Sequence, residues 1–251
     1  MFAAGWLFPC AVLAGCAGQA SDEEDPGDQA ALVGGVLDRG DPAVVALLRS
    51  QFPLGEIAYC TGTLIAPDVV LAAGHCGSLH AVALGKDASG AWSPRLDVDE
   101  PVRPAGYTGE GKIYDLALYH LHAAVDDIAP IRLNEQPLET LPAASPVRHV
   151  GYGATHTTLG IPRGYGDKRQ ITYPITALDP FWLHSGGKGQ QTCLFDSGGP
   201  ALVDLGEGER LAAVVSDGVG CSGDSWDARV DRADVLAWID DTLEGWGSVR
   251  P

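Results

Sequence analysis

From Leu32 onward, short apolar runs alternate with breaks that carry Gly and Pro. Val44-Val45-Ala46-Leu47-Leu48, Val69-Val70-Leu71, Leu116-Ala117-Leu118, residues 147–150 and Leu211-Ala212-Ala213-Val214-Val215 are short enough for strands and too short for helices. Apolar runs bounded by turn residues at close spacing predict an all-β barrel or sandwich. The tail differs. Val235, Leu236, Ile239 and Leu243 fall at i, i+1, i+4 and i+8, one face of a helix, with Asp234, Asp240 and Asp241 off that stripe. A C-terminal helix is expected over about residues 233–244. The Pro-bearing stretch 130–146 carries few strand signals and is expected to join two halves.

Residues 1–20 hold no charged side chain and are mostly small or apolar, and an acidic run follows at once over residues 21–28. A short apolar stretch ending in small residues reads as an export signal, to be set apart from the fold. Leu13-Ala14-Gly15-Cys16 resembles a bacterial lipobox, which implies a lipid on Cys16; ordinary cleavage after Ala20 is the alternative. Residues 21–31 read as an acidic tether or propeptide. The implied destinations are a bacterial outer membrane or cell surface through the lipid, or the periplasm or medium after processing.

Composition narrows the function classes. The chain has 251 residues, 45% of them hydrophobic and 20% charged, enough for one large domain or two small ones with a real core. Lys and Arg number 16 against 33 Asp and Glu, a net charge of −17, which opposes general nucleic-acid binding. Outside the N-terminus no apolar run reaches the roughly 18 residues of a spanning helix, so a multipass membrane protein is excluded. Of six cysteines, Cys10 and Cys16 lie in the signal; Cys60, Cys76, Cys193 and Cys221 remain. Four cysteines allow three pairings, of which Cys60 with Cys76 and Cys193 with Cys221 join sequence neighbours. Closing the shorter loop is worth about 3 kcal/mol in the chain-entropy view. Cys-x-x-Cys and His-x-x-x-His clusters are absent, so no metal or other cofactor is expected. Asp97, Asp99 and Glu100 read as a solvated loop, with Ca²⁺ chelation the alternative.

Three segments carry candidate chemistry. Leu71-Ala72-Ala73-Gly74-His75-Cys76 sets a His beside a candidate half-cystine, Asp115 precedes an apolar run, and Asp196-Ser197-Gly198-Gly199-Pro200 sets a Ser in a Gly-rich turn. A Ser hydroxyl needs a base to take its proton; an imidazole does that near neutral pH, and a carboxylate fixes the imidazole's tautomer. Glycines let backbone N–H groups approach a developing oxyanion. His80, His120, His122, His149, His156 and His184 lack such settings and read as ordinary surface or loop residues.

In this His, Asp, Ser order the chain resembles the chymotrypsin-like (trypsin-fold) serine proteases from Leu32 to Leu243. Leu32-Val33-Gly34-Gly35, Val150-Gly151-Tyr152-Gly153 and Trp238-Ile239 resemble that family's new N-terminus, second-barrel opening and closing helix. The resemblance implies two packed six-stranded antiparallel β-barrels, the first over about residues 32–135, the second over about 146–232, then a short C-terminal helix. It implies a serine endopeptidase with His75 as base, Asp115 as its orienting carboxylate, Ser197 as nucleophile, and the N–H groups of Phe195 and Ser197 as oxyanion hole. It further implies the cystines Cys60–Cys76 and Cys193–Cys221, and a substrate pocket from Gln191, Thr192, Ser216, Gly218 and Val219, with Trp226 or Asp227 as further candidates. A zymogen follows: cleavage between Ala31 and Leu32 frees an α-amine to pair with Asp196. Partners are protein or peptide substrates, and a monomer is expected. Three positions depart from the family. Phe195 stands where a Gly is usual, Gly74 where an Ala is, and Asp217 where an aromatic residue is. Phe195 and Asp217 keep a catalytically weak or inactive binding module open as the second reading, and an esterase as the third.

Overall fold

A computed structural model describes Met1 and residues 32–51, 55–86, 90–109, 112–187, 189–218, 221 and 223–251. The signal, the tether, Cys16 and Val219 lie outside the described residues. The apolar runs become strands and the architecture is two antiparallel β-barrels with one C-terminal helix.

A short lead-in strand, β1 (Val36–Leu37), opens the domain. The first barrel follows: β2 (Val44–Gln51), β3 (Gly55–Ala66), β4 (Val69–Ala72), β5 (Ala81–Ala83), β6 (Arg95–Asp97) and β7 (Ala117–His120). Its order is β6-β5-β2-β3-β4-β7, and bridges Val98–Leu121 and Val102–Leu118 bring the two ends together. All four residues of β4 and the first three of β7 are buried, which is why their sequences are continuous apolar runs rather than alternating ones.

The second sheet holds β8 (Pro146–Gly151), β11 (Arg169–Leu178), β12 (Trp182–Gly186), β13 (Pro200–Asp204), β14 (Glu209–Gly218) and β15 (Asp224–Arg229); a two-stranded hairpin, β9 (His156–Thr158) and β10 (Ile161–Arg163), stands apart. Its order is β1-β11-β12-β15-β14-β13-β8, and β11 also pairs with β8, closing the ring. The family resemblance counts the stretch from residue 32 with the first barrel. Instead β1 pairs with β11 through Val36–Gln170 and Leu37–Arg169, making this sheet seven-stranded. Up to the start of β8 at Pro146 the linker carries only a 3₁₀ turn, Leu138–Thr140, and a bridge from Leu133 to Leu211.

The helix α1 (Ala233–Trp246) buries Val235, Ile239 and Leu243 of the expected stripe against the larger apolar cluster, with Leu236 only partly buried there. Gly247 ends it in the left-handed conformation, φ 73°, where its N–H reaches the carbonyls of Leu243 and Glu244. A second cluster, from Leu32 through Val147, Ile171 and Leu183 to Ala213, fills the second barrel. No helix among the described residues is long and apolar enough to cross a membrane.

Candidate active site

His75 sits on the 3₁₀ turn Gly74–Cys76 that follows β4, and Asp115 lies just ahead of β7. Because β4 and β7 are paired neighbours, Ala72 opposite Ala117, the two side chains meet. His75 Nδ1 is 2.6 Å from Asp115 Oδ2, and the His75 backbone N–H donates to Asp115 Oδ1 at 2.7 Å. Ser216 Oγ donates a third bond to the same carboxylate. Asp115 is fully buried and His75 half-buried, so the ring has one fixed side and one side open to the cavity. Gly74 has a steric reason here: an added Cβ would stand 3.1 Å from Asp115 Oδ1 and 3.1 Å from the Leu116 carbonyl.

Ser197 lies on the turn before β13. Its carbonyl accepts from Thr61 N at 2.9 Å, and Gly198 N donates to the Val215 carbonyl at 2.7 Å. Gly198 has φ +87°, and a Cβ there would fall 2.2 Å from the Thr61 carbonyl, so only Gly fits this close approach. His75 and Ser197 line one cavity of about 250 Å³, together with Thr192, Ser216 and Gly218. Gln191, expected in the same lining, is buried and turns away: its side-chain amide donates to the Cys221 carbonyl, and Oε1 has no partner among the described residues.

Asp196 is fully buried and accepts N–H bonds from Cys193 and Gly153, both at 2.9 Å. Desolvation is the dominant influence and pushes its pKa up to about 7; no cation offsets it among the described residues. Gly151 and Gly153 make room for it, since a Cβ at either would come within 2.1 Å and 2.3 Å of its carboxyl group. Leu32 is also fully buried, and Val33 N donates to the Gln191 carbonyl at 3.1 Å, which seats the N-terminal arm in the second barrel. Phe195 holds φ +76°, a left-handed backbone that a non-Gly residue rarely adopts.

Both cystines form, Cys60–Cys76 and Cys193–Cys221, and each fastens one side of the cavity. The two sulfurs beside His75 are bonded to each other, so Cys60, His75 and Cys76 present no thiolate set for a metal. The acidic loop is engaged by its neighbours: Asp99 accepts from His120 and His122, and Glu100 from Ser78. His149 corrects the surface assignment. It is fully buried, 2.8 Å from the equally buried Asp227, and stacked on Tyr173 with ring centres 4.8 Å apart. Asp227 is therefore committed to the barrel interior, while Trp226 stands partly exposed against Trp182 and His184.

Three contributors escape sequence reasoning. Thr61 Oγ1 donates to the Phe195 carbonyl at 3.1 Å and accepts from Tyr152 N at 3.0 Å, tying the two barrels together under the Ser197 turn. Lys112 lines the cavity, pairs with Asp217 at 3.1 Å and donates to the Ser216 carbonyl at 3.4 Å. Tyr59 closes the cavity beside Cys60. Only Tyr59 carried a usable signal, its place next to a half-cystine flanking the His.

Comparison with known proteins agrees with this arrangement. The family profile described as Trypsin matches residues 37–239. Phenoloxidase-activating factor 3 of Holotrichia diomphalia is 27% identical, over 80% of this chain and 69% of its own. Glucanase inhibitor protein 2 of Phytophthora sojae is 25% identical, over 91% and 84% respectively. Trypsin of Sarcophaga bullata is 25% identical, over 77% and 84%. With a matching profile across most of its length, two β-barrels, two cystines and a His–Asp pair opening on a Ser-bearing turn, the chain belongs to the trypsin family.

Proposed function

We propose that this protein is an exported serine endopeptidase that cleaves peptide bonds through an acyl-enzyme on Ser197. The observation that carries the reading is the 2.6 Å contact between His75 Nδ1 and the buried Asp115 carboxylate, with Ser197 in the same cavity. With Nδ1–H held by Asp115, Nε2 is the free base that takes the Ser197 proton as Oγ attacks the substrate carbonyl. The imidazolium then gives that proton to the leaving amine, and water repeats the cycle to release the acyl group. The backbone N–H groups of Phe195 and Ser197 receive the oxyanion; losing one such donor costs about 3 kcal/mol.

The unpaired Asp196 supports activation by cleavage before Leu32. A freed α-amine on the buried Leu32 would give that carboxylate a cation and fix the Phe195 turn; a buried pair of this kind costs about 3–5 kcal/mol to break. The two cystines suit an oxidising compartment outside the cytoplasm, and the lipobox-like Cys16 supports a lipid tether that the same cut would release. Thr192, Ser216 and Gly218, which line the cavity with His75 and Ser197, support a substrate pocket there, while the Gln191 amide is committed to the Cys221 carbonyl.

One observation favours the second reading, a protease-like binding module: the left-handed Phe195 at an oxyanion position, in a family whose members include a relative named as a glucanase inhibitor. A mixed peptide library incubated with the chain cut before Leu32 decides between them. Cleavage that disappears in Ser197→Ala supports the peptidase, and an intact library supports the module.

A further inference from the structure

Residues 97–99 run antiparallel to residues 120–122 at the end of β7. Asp99 N donates to the His120 carbonyl and His122 N to the Asp97 carbonyl, both at 3.0 Å, around the Val98–Leu121 bridge. Side chains alternate across such a pair. Val98 and Leu121 turn to the larger apolar cluster, so Asp97, Asp99, His120 and His122 share the outer face. His120 Nδ1 lies 3.2 Å from Asp99 Oδ2, and His122 Nε2 lies 3.0 Å from Asp99 Oδ1. The other nitrogen of His120 faces a second carboxylate: Nε2 is 3.5 Å from Asp68 Oδ2, which also accepts from Ser248 Oγ at 2.9 Å. The His120 ring is stacked on Trp246 of α1, with ring centres 5.0 Å apart. Its face and both of its nitrogens are therefore held in place by neighbours.

None of these residues lines the His75–Ser197 cavity. A neutral imidazole has one lone-pair nitrogen. Carboxylates facing both nitrogens of His120 leave one contact that needs a cation, either a proton or a metal ion. Two imidazoles and a carboxylate converging from adjacent strands make a donor set for zinc and its imidazole-binding neighbours, whereas calcium takes a cage of oxygens. Asp68 supplies the outer carboxylate that a metal-bound histidine commonly holds on its other nitrogen. His122 and Asp99 are each 56% exposed, so both side chains can close on an ion at the roughly 2.0–2.1 Å of a zinc–nitrogen bond, with water completing the shell. The spacing also explains why the sequence conceals the cluster. His-x-x-x-His is helical spacing; on a strand, positions i and i+2 share a face, as in His120-Leu121-His122. We propose that Asp99, His120 and His122 bind a divalent transition-metal ion of the zinc class, with Asp68 orienting His120. The site is independent of whether Ser197 is a nucleophile.

Calorimetric titration with zinc chloride tests it. The full chain is used with both cystines intact and its remaining thiols blocked by iodoacetamide, and it should take up zinc at micromolar concentration. His120→Ala and His122→Ala should each weaken that binding at least tenfold, and Asp68→Asn should weaken it about tenfold by loosening the ring. Thermal unfolding gives a second reading. Zinc at about a hundredfold excess over Kd should raise the midpoint by about 5 °C. His122→Ala, a change at an exposed position, should fold normally and lose that rise. Calcium chloride should produce neither signal. No zinc uptake, or calcium binding in its place, overturns the site. Zinc binding that survives both His substitutions belongs to another imidazole, such as His75, and overturns it equally. Unaltered affinity in Asp68→Asn alone overturns the orienting role of Asp68.

Discussion

The His75 side of the cavity and the Ser197 side are built on different terms. Asp115 receives three hydrogen bonds, lies just ahead of β7 and has its neighbour Gly74 fitted to it. Across the cavity, Phe195 is backbone-strained and Asp196 is buried with two N–H donors and no cation. The His75–Asp115 pair is thus fully hydrogen-bonded, whereas the buried Asp196 carboxylate has no cation beside it among the described residues.

The largest expected effect removes the nucleophile. Ser197→Ala should lower turnover on the order of a millionfold while leaving the unfolding midpoint nearly unchanged, as chemical denaturation with a peptide assay would show. On the fixed side, Asp115→Asn should keep the fold and lower kcat by about 10,000-fold, because the amide permits the wrong imidazole tautomer.

Acid–base linkage separates the two sides next. In the uncut chain the buried Asp196 has its pKa raised from 3.8 to about 7. The folded state then holds a proton that the unfolded state has released, so the stability of the uncut chain should fall as pH rises through that window and level off above it. Asp196→Asn should flatten the decline in a series of denaturation curves. Cutting before Leu32 should flatten it too, because an α-ammonium lowers the carboxyl pKa. The same Asn variant should fail to gain activity on cutting.

How much of this was legible depends on distance along the chain. The apolar runs, the α1 stripe of Val235, Ile239 and Leu243, and the segments bearing His75, Asp115 and Ser197 are local patterns, visible without coordinates. Thr61 was not legible, because its hydroxyl serves Tyr152 and Phe195, residues 91 and 134 positions away. His149 left a fainter mark. It shares strand parity with the buried Val147, a period-two signal that the missing catalytic context obscured. Lys112 gave none, since its pairing with Asp217 exists only once β14 and the turn before Asp115 face each other. Phe195 was conspicuous as a departure, but its left-handed backbone and aromatic neighbours are tertiary facts.

The smallest expected effect sharpens the strained side. Phe195→Gly relieves the backbone and loses two ring contacts, terms of similar size, so stability should move by no more than about 1 kcal/mol. Phe195→Ala loses the rings and keeps the strain, and should be less stable than the Gly variant by about 1 kcal/mol. Paired urea melts measure both.

The central claim is a nucleophilic Ser197, and covalent labelling reads it directly. A fluorophosphonate probe is added to the chain cut before Leu32, and the adduct is located by peptide mass mapping. A single adduct on Ser197, absent in Ser197→Ala and in His75→Ala, is the predicted result. A cut, folded chain that takes up no probe at Ser197 would contradict it.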